Sequence, residues 1–558
     1  MIIASLHIGH DASLSFFDGE KLEFFLEERY SRIKHDGSYY YCLKKFLEID
    51  CQVDLFVISS FDDTIIKVLE NDSSYKTFLL KYQEKYNQSL NVLFDYSHHL
   101  FHASLAFYNS EFDKSLVIVV DGSGQNEGSI RECESVYIAE YPCNFIPIYK
   151  NYLITSNNFY SDINRLTSNN SQCEITAKSK IGIGAMYGSC ACHFGENELS
   201  AGKVMGLQSY GSDLNLKLIR DNLYVNDEDF YLDYKSLMVY NKNIPITDKV
   251  TNINQKIFSD YAKTLQNQSE TLMYNLIKKS IKETNIDKIC ITGGYGLNVV
   301  ANSNYIKKFP NIQFYNEPLS TDCGVSLGAC FYYYRKKTED NKIKKNKTPY
   351  FHGNSKSDFF YQLDGDEIQF DITPKQVASL IERGNICAIF QGKSEAGPRA
   401  LGNRSILFDP RVVNGKDIIN TIKKREYYRP FAGTVLLEHA KEWFDMQDFD
   451  ESPLMMYSIN VLAEKENKIP AIVHVDKTCR IQTLSKNQNK HFYSLIEEFY
   501  NLTGVPILLN TSFNLAGQPI VETLYDALVV LRKSQIEYLY LPEISRLIKV
   551  PNEKLDFN

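Results

Sequence analysis

The chain of 558 residues has a single Trp, no apolar run approaching a bilayer span, and no surplus of positive charge. Its longest apolar stretches, such as Leu116 to Val120 and Ala527 to Leu531, fall far short of the ~20 residues a spanning helix needs, so no membrane segment is expected. Lys plus Arg number 61 against 69 Asp plus Glu, a formal charge of −8. That balance excludes the broad positive field by which most nucleic-acid binders hold phosphates, though it allows a local basic site. The opening MIIASLHIGHDAS has no basic flank and does not read as a secretory signal. Paired CxxC motifs are also missing. The twelve cysteines are therefore read as reduced thiols of a cytoplasmic protein. Only Cys190, Cys192 and His193 lie close enough to suggest a metal clip, and small buried side chains are the plainer reading of them. Against one Trp stand 38 Tyr and 33 Phe, a bias that the sequence does not convert into chemistry.

What remains is ordinary globular usage: 44% hydrophobic, 23% charged, 28 Gly and 16 Pro. The length suggests three or four units of ordinary size, or fewer large ones. At the N-terminus IIASLHI, SLSFF and KLEFFLEE read as three strands joined by a Gly-His-Asp turn and an Asp-Gly turn. KSLVIVVDGSGQNEGSI is a buried strand ending in Asp121 and a glycine turn, and KICITGGYGLNVVANSNYIKK is a strand, a glycine turn and a helix. From about Lys336 to Phe359 the pattern gives way to a polar, lysine-rich linker. Beyond it, NICAIFQGKSEAGPRALGNRSILFDPR and GVPILLNTSFNLAGQPI again feed strands into polar loops. These observations predict an α/β protein of two domains, residues 1–340 and 360–558, with a linker over 341–359.

In HHLFHASLAFYNS the apolar spacing suits a helix, which places His98 and His102 one turn apart on the same face. Such a pair either chelates a metal or hydrogen-bonds within a polar core. Asp121 at a strand end and Asp322 in NEPLSTDCGVSLGA are carboxylates of the type that would complete a site, and two imidazoles with two carboxylates suit iron, manganese or zinc better than calcium. His99 points elsewhere and reads as packing. The glycine segments DGSGQ, AGKVMG and GGYGLN could bring backbone N–H groups to a nucleotide's phosphates, although none matches a P-loop or a dinucleotide fingerprint. In the last third, Arg399, Arg404, Lys423, Arg425, Arg429 and Arg480 crowd segments rich in Gly, Pro and Asn. Forks converging from loops recognise phosphate or carboxylate. His474 is as readily structural as ligand-binding.

The strings GHDAS, LEERYSRIKHD, HHLFHA, VVDGSG, GKVMGL, GGYGLN with VAN, QGKSEAGPRALGNRSIL, REYYRPFA, HVDKTCRIQT and TGVPILLNTSFN, in this order and over nearly the whole chain, resemble the O-carbamoyltransferase family of nodulation-factor and antibiotic-tailoring enzymes. Ala201, Cys323, Lys477 and Cys479 depart from the family's pattern. The resemblance implies an actin-like ATPase domain of duplicated α/β design, followed by a smaller α/β carbamoyl-activating domain of the tRNA threonylcarbamoyl-AMP synthase type. It implies that carbamoyl phosphate and ATP yield a carbamoyl-adenylate, whose carbamoyl group passes to a hydroxyl of a sugar or antibiotic-like acceptor. By the same resemblance, His98, His102, Asp121 and Asp322 would hold Fe2+, and Mg2+ could accompany the nucleotide. Asp121, Gly122, Gly124, Lys203, Gly206, Gly293, Gly294 and Asn298 would bind ATP. Arg399, Arg404, Lys423, Arg425, Arg429, His474, Arg480, Asn510 and Asn514 would bind carbamoyl phosphate. Lys34 would face the nucleotide or the carbamoyl group, and His10 would be the general base that takes the acceptor's proton. A homodimer is compatible with all of this. Competing readings are transfer to a protein thiol or a tRNA base, which the absent CxxC pairs disfavour, and a non-enzymatic actin-like ATP-binding protein, which leaves the arginines unexplained.

Overall fold

The computed structural model describes residues 1–156, 159–169, 172–178, 182–213, 255–343, 349–353, 365–447 and 449–551. Most of the expected linker lies outside them. The chain separates into two compact units, Met1–Leu22 with Gly37–Lys345, and Glu23–Asp36 with Asn346–Asn558. The second unit thus takes a short N-terminal segment that a boundary near residue 340 assigns to the first.

The first unit contains two sheets of one design. β1 (Ile3–His7) pairs antiparallel with β2 (Ser13–Phe17) and parallel with β4 (Leu55–Ser59), which pairs parallel with β5 (Val92–Asp95). β3 (Leu22–Leu26), the next strand in the chain, belongs to the second unit from Glu23 onward. The expected third strand stops there, because Glu27–Ser31 turns into a short helix. In the second sheet β6 (Lys114–Val120) pairs antiparallel with β7 (Ile130–Glu140), which pairs antiparallel with β8 (Asn144–Ile154). On its other side β6 pairs parallel with β10 (Lys288–Thr292), and β10 with β11 (Gln313–Asn316). β9 (Glu174–Lys178) adds to the edge at β8. An antiparallel pair continued by two parallel strands therefore occurs twice, as β2-β1-β4-β5 and as β7-β6-β10-β11, which is the duplicated α/β arrangement expected of this domain.

The parallel strands read as continuous apolar runs because both faces are covered. Six of the seven residues of β6 are buried, and so is all of β1. Helix His98–Asn109 is buried along ten of its twelve residues and meets helix Val325–Thr338, where the Ser104 hydroxyl donates to the Gly328 carbonyl at 2.8 Å. Much of the Tyr and Phe excess enters such cores. Phe46 alone stands 4.9, 5.1, 5.0 and 5.9 Å from the rings of Phe16, Phe56, Phe78 and Tyr82.

The second unit is built on one mixed sheet, running β12 (Glu367–Gln369), β20 (Arg546–Lys549), β19 (Tyr538–Leu541), β13 (Cys387–Phe390), β14 (Arg404–Phe408), β18 (Ile507–Ser512), β15 (Ala432–Leu436), β17 (Thr478–Leu484) and β16 (Ser458–Asn460). Three of its helices start where the sequence places caps. Thr373 and Gln376 close a capping box on Pro374–Glu382, Thr523 and Asp526 another on Leu524–Arg532, and Asn489 caps Lys490–Thr503.

Candidate functional site

In the first unit, chemistry collects at the carboxyl ends of parallel strands. His7 is the last residue of β1, Asp121 follows β6, and Gly293 follows β10. The predicted His98 and His102 do project together from their helix, and Asp121 and Asp322 meet them. The four are buried, with ligand atoms within 4.8 Å of one another. His98 Nε2 lies 3.2 Å from His102 Nε2, 3.3 Å from Asp121 Oδ2 and 3.5 Å from Asp322 Oδ1, and His102 Nε2 lies 3.7 Å from each of those oxygens. Edges of this length are what donors about 2.0–2.2 Å from one ion would show. The donor set fits a divalent transition metal. The Nδ1 atoms of both histidines are buried with no partner among the described residues.

Burial opposes charge on His98, but Asp322 and Asp121 overcome it and raise the imidazole to about 10. Asp322 is held well below the carboxylate range: burial works against its charge, and His10 and His98 outweigh it. Asp322 is two-sided. Its Oδ1 faces the histidine pair, while Oδ2 lies 3.2 Å from His10 Nε2 and 3.7 Å from His7 Nε2. His10, flanked also by Asp11 at 3.5 Å, is raised to about 9, since Asp322 and then Asp11 outweigh burial. With Asp322 unengaged, His10 therefore holds its proton at neutral pH. The ordinary imidazole pKa assumed for a general base is not the one this setting provides.

The other predicted nucleotide residues divide. Gly293 has φ +81°, and a Cβ there would fall 2.4 Å from the Val120 carbonyl, so the β6–β10 approach requires glycine. The N–H of Gly294 donates to Asp121 Oδ1 at 2.9 Å, locking that loop to the metal-type cluster. Gly122 borders open space, whereas a Cβ on Gly124 would sit 2.5 Å from His99 Nε2. Asn298 is spent on structure: it caps helix Val299–Lys308 through Ala301 N–H and bonds Tyr187 and Gln266 inside the core. The segment expected as a glycine loop around Lys203 and Gly206 is instead helix Ala201–Leu207, with Lys203 paired to Glu196 at 2.7 Å. Cys190 is buried and Cys192 exposed, so these two do not converge as a clip.

In the second unit, Arg399, Arg425, Arg429, Arg480 and Lys423 come together. Arg399 is pushed well below the arginine range by burial and then by Arg480 and Arg429, and Arg480 to about 10 by burial, with Arg429 adding to it. Arg425 is pushed down by burial and by Arg429 and Arg480, with Glu426 the one acid opposing. Lys423 is lowered by burial and by Arg425, Arg429 and Lys34, so Lys34 belongs to this cluster. Guanidiniums do not shed protons in proteins. Buried like charges of this kind are a standing cost that an anion relieves.

Two expectations change. Arg404 and Arg480 sit on strands, not loops. Arg404 also turns away from the cluster: its guanidinium lies 3.6 Å from the Phe390 ring centre and donates to the carbonyls of Gln391, Asn403, Gly392 and Glu522, so it is structural. Lys423 donates to the carbonyl and side-chain oxygens of Asn514 at 2.8 and 3.0 Å and to the Ser512 carbonyl, so Asn514 positions the lysine. Asn510 is fully buried in β18, and His474 is buried after β16.

Sequence reasoning missed the support beneath the arginine-bearing loop. Glu395 accepts the N–H groups of Leu401, Asn403 and Arg404 at 2.8, 2.8 and 3.2 Å. Arg29, 1% exposed, donates to the carbonyls of Glu395 and Gly397 and faces Glu522 at 3.9 Å. His352 Nε2 accepts from Leu26 N–H at 2.8 Å, so its proton is on Nδ1, 2.9 Å from Glu522. Also missed was His7. It lay in plain view in LHIGHD, but a strand-end His gives no period to detect.

A family model described as Carbamoyltransferase N-terminus matches residues 67–331, and one described as Carbamoyltransferase C-terminus matches residues 378–546. The chain is 29% identical to nodulation protein NolNO of Sinorhizobium fredii over 95% of this chain and 78% of that protein. It is 32% identical to the 3'-hydroxymethylcephem-O-carbamoyltransferase of Streptomyces clavuligerus over 42% of this chain and 44% of the other. Among solved structures, full-length HypF in a phosphate- and nucleotide-bound form aligns over 60% of this chain and 56% of that one, with a TM-score of 0.36 and 12% identity.

Proposed function

The chain belongs to the carbamoyltransferase family, and from that premise we propose an O-carbamoyltransferase that uses carbamoyl phosphate and ATP and acts on a hydroxyl of a sugar or antibiotic-like acceptor. The observation that carries this reading is the buried cationic cluster of the second unit, in which Arg399, Arg425, Arg480 and Lys423 all have Arg429 as a charged neighbour. A small dianion answers that charge, and guanidinium forks suit its phosphoryl oxygens. Water releases phosphate from carbamoyl phosphate, the carbamate oxygen attacks the α-phosphorus of ATP, and pyrophosphate leaves to give the carbamoyl-adenylate. The acceptor hydroxyl then attacks the carbamoyl carbon, and AMP leaves.

In the first unit, His98, His102, Asp121 and Asp322 would hold a divalent cation; the donor set suits iron, manganese or zinc, and among these the family resemblance favours Fe2+. Bound there, it would supply positive charge for a nucleotide's phosphates. Asp322 and Asp11 hold His10 beside this cluster. His10 would accept the acceptor's proton, and a cation held by Asp322 would weaken that carboxylate's stabilisation of the imidazolium 3.2 Å away. Gly293 and Gly294 keep the β10 turn against Asp121, which shapes the floor of the same site. The test is to incubate the metal-loaded protein with ATP, carbamoyl phosphate and a panel of hydroxylated sugars and antibiotic intermediates. One product should gain the mass of a single carbamoyl group, and no gain across the panel with carbamoyl-adenylate accumulating would remove the acceptor class.

A further inference from the structure

Phe61 stands two residues past β4, in the bend that leads from the sheet to helix Thr64–Asn71. Its ring meets three imidazoles of the first unit's site. The ring centres lie 4.8 Å from His98, 5.9 Å from His7 and 6.1 Å from His10, edge-on to His7 and tilted by 36° against His98 and 35° against His10. The turn between β1 and β2 makes room for it: a Cβ on Gly9 would fall 2.9 Å from Phe61 Cε2 and 3.2 Å from His7 Nε2. The backbone that carries the ring is fixed as well. The Phe61 carbonyl accepts the Asn126 N–H at 3.0 Å, Asn126 Nδ2 donates to Asp62 Oδ2 at 2.7 Å, and Arg131 Nε donates to Asn126 Oδ1 at 2.8 Å. Phe61 is thereby pinned to the turn between β6 and β7, the turn that begins with Asp121.

A large apolar side chain gains most from complete burial, and Phe61 is only half-buried. Its position answers a need of the chemistry instead. The side chains of His7 and His98 have no exposed surface, whereas that of His10 is 39% exposed, so the group read as the base meets solvent. A base that draws a proton from an alcohol draws one from water just as well, and water destroys an activated carbamoyl group. We propose that Phe61 fills the space beside His10 that water would otherwise occupy, and so keeps the carbamoyl-adenylate for the acceptor hydroxyl. The inference rests on the reading of His10 as the base of a carbamoyl-adenylate transfer. In the reaction that the ring suppresses, a water oxygen bonds to the carbamoyl carbon, one water proton passes to His10, the bond to the phosphate oxygen breaks and AMP leaves. The carbamic acid left behind separates into ammonia and carbon dioxide.

AMP release tests this without any acceptor, because AMP appears only when the adenylate is consumed. With ATP, carbamoyl phosphate and the metal-loaded full chain, Phe61→Ala should release AMP at least about 10-fold faster than the parent, a part of the ~10²- to 10⁴-fold that a general base supplies. Phe61→Val, which opens less space, should show a smaller gain, and it replaces the alanine variant as the test should that chain lose its metal. Adding His10→Asn should abolish the gain, a coupling that a merely loosened site would not show. AMP release at the parental rate by a variant that binds divalent metal like the parent overturns the inference, and so does a gain that survives His10→Asn. Pyrophosphate from the parent together with either result leaves the adenylate reading intact. If the parent forms no pyrophosphate at all, that reading fails and takes the inference with it.

Discussion

Glu522→Gln should destabilise the second unit without touching the first. The carboxylate sits where His352, Ser394 and Arg29 meet, 2.9, 2.7 and 3.9 Å from them, and is 8% exposed. Burial opposes its charge, yet its partners hold it down from 4.5 to about 2. At about 1.4 kcal/mol per pKa unit that is at most ~3.4 kcal/mol. His352, whose proton is on Nδ1 and whose pKa is lowered by burial, is neutral at pH 7 and contributes a hydrogen bond but no charge. With Arg404 and Arg29 as the charged partners, about 2–3 kcal/mol is the better figure, at or just below the ~3–5 kcal/mol typical of removing one partner of a buried ion pair. Trp443, buried at 3% exposure, is the chain's single Trp and lies in the second unit, so its selectively excited fluorescence reports that unit alone. A loss of 2–3 kcal/mol corresponds to about 4–12 °C for a unit of this size. The acid limb has a defined sign. The folded pKa is the lower one, so this stability is complete above about 4.5 in the parent and is lost as pH falls toward 2, whereas the Gln variant shows a shallower loss over that window. A Trp443 transition within about 0.5 kcal/mol of the parent, the ordinary effect of a neutral surface change, would mean that the Glu522 charge does not stabilise the second unit.

Asp121→Asn should lower bound divalent metal by about 10-fold or more, read by elemental analysis after dialysis, while leaving Trp443 fluorescence unchanged. His10→Asn should still release pyrophosphate from ATP and carbamoyl phosphate but carbamoylate an acceptor about 10²- to 10⁴-fold more slowly; transfer at the parental rate would remove His10 as the base. Arg480→Met should raise KM for carbamoyl phosphate with little change in the Trp443 transition. Arg404→Met should do the reverse, because Arg404 is committed to four carbonyls and the Phe390 ring.

The parts of the site legible in the sequence are those set by local geometry. An i, i+4 His pair must share a helix face, and an Asp at the end of an apolar strand must reach a loop, so His98, His102 and Asp121 were found by spacing. The Arg crowding was legible for the same reason, since GPRALGNRS and KKREYYRPF are too dense in charge to be ordinary loops. What escaped depends on distant partners. Nothing in GNRSIL tells that Arg404 faces backbone carbonyls while Arg399, five residues earlier, faces Arg480. Asn298 and the Ala201–Leu207 helix show glycine-rich and amide-rich strings used for packing and capping, which composition does not separate from phosphate binding. Arg29, whose partners Glu395, Gly397 and Glu522 lie more than 360 residues away in the chain, and Arg32, which donates to the carbonyls of Pro519 and Ile520, tie Glu23–Asp36 to the second unit.

As proposed, the second unit activates the carbamoyl group at the expense of ATP. Pyrophosphate release by the metal-loaded protein, with ATP and carbamoyl phosphate and no acceptor, measures this directly. Release that requires both substrates and falls in Arg480→Met is the predicted result. No release above background with any of several divalent metals would mean that the protein does not adenylate a carbamoyl group.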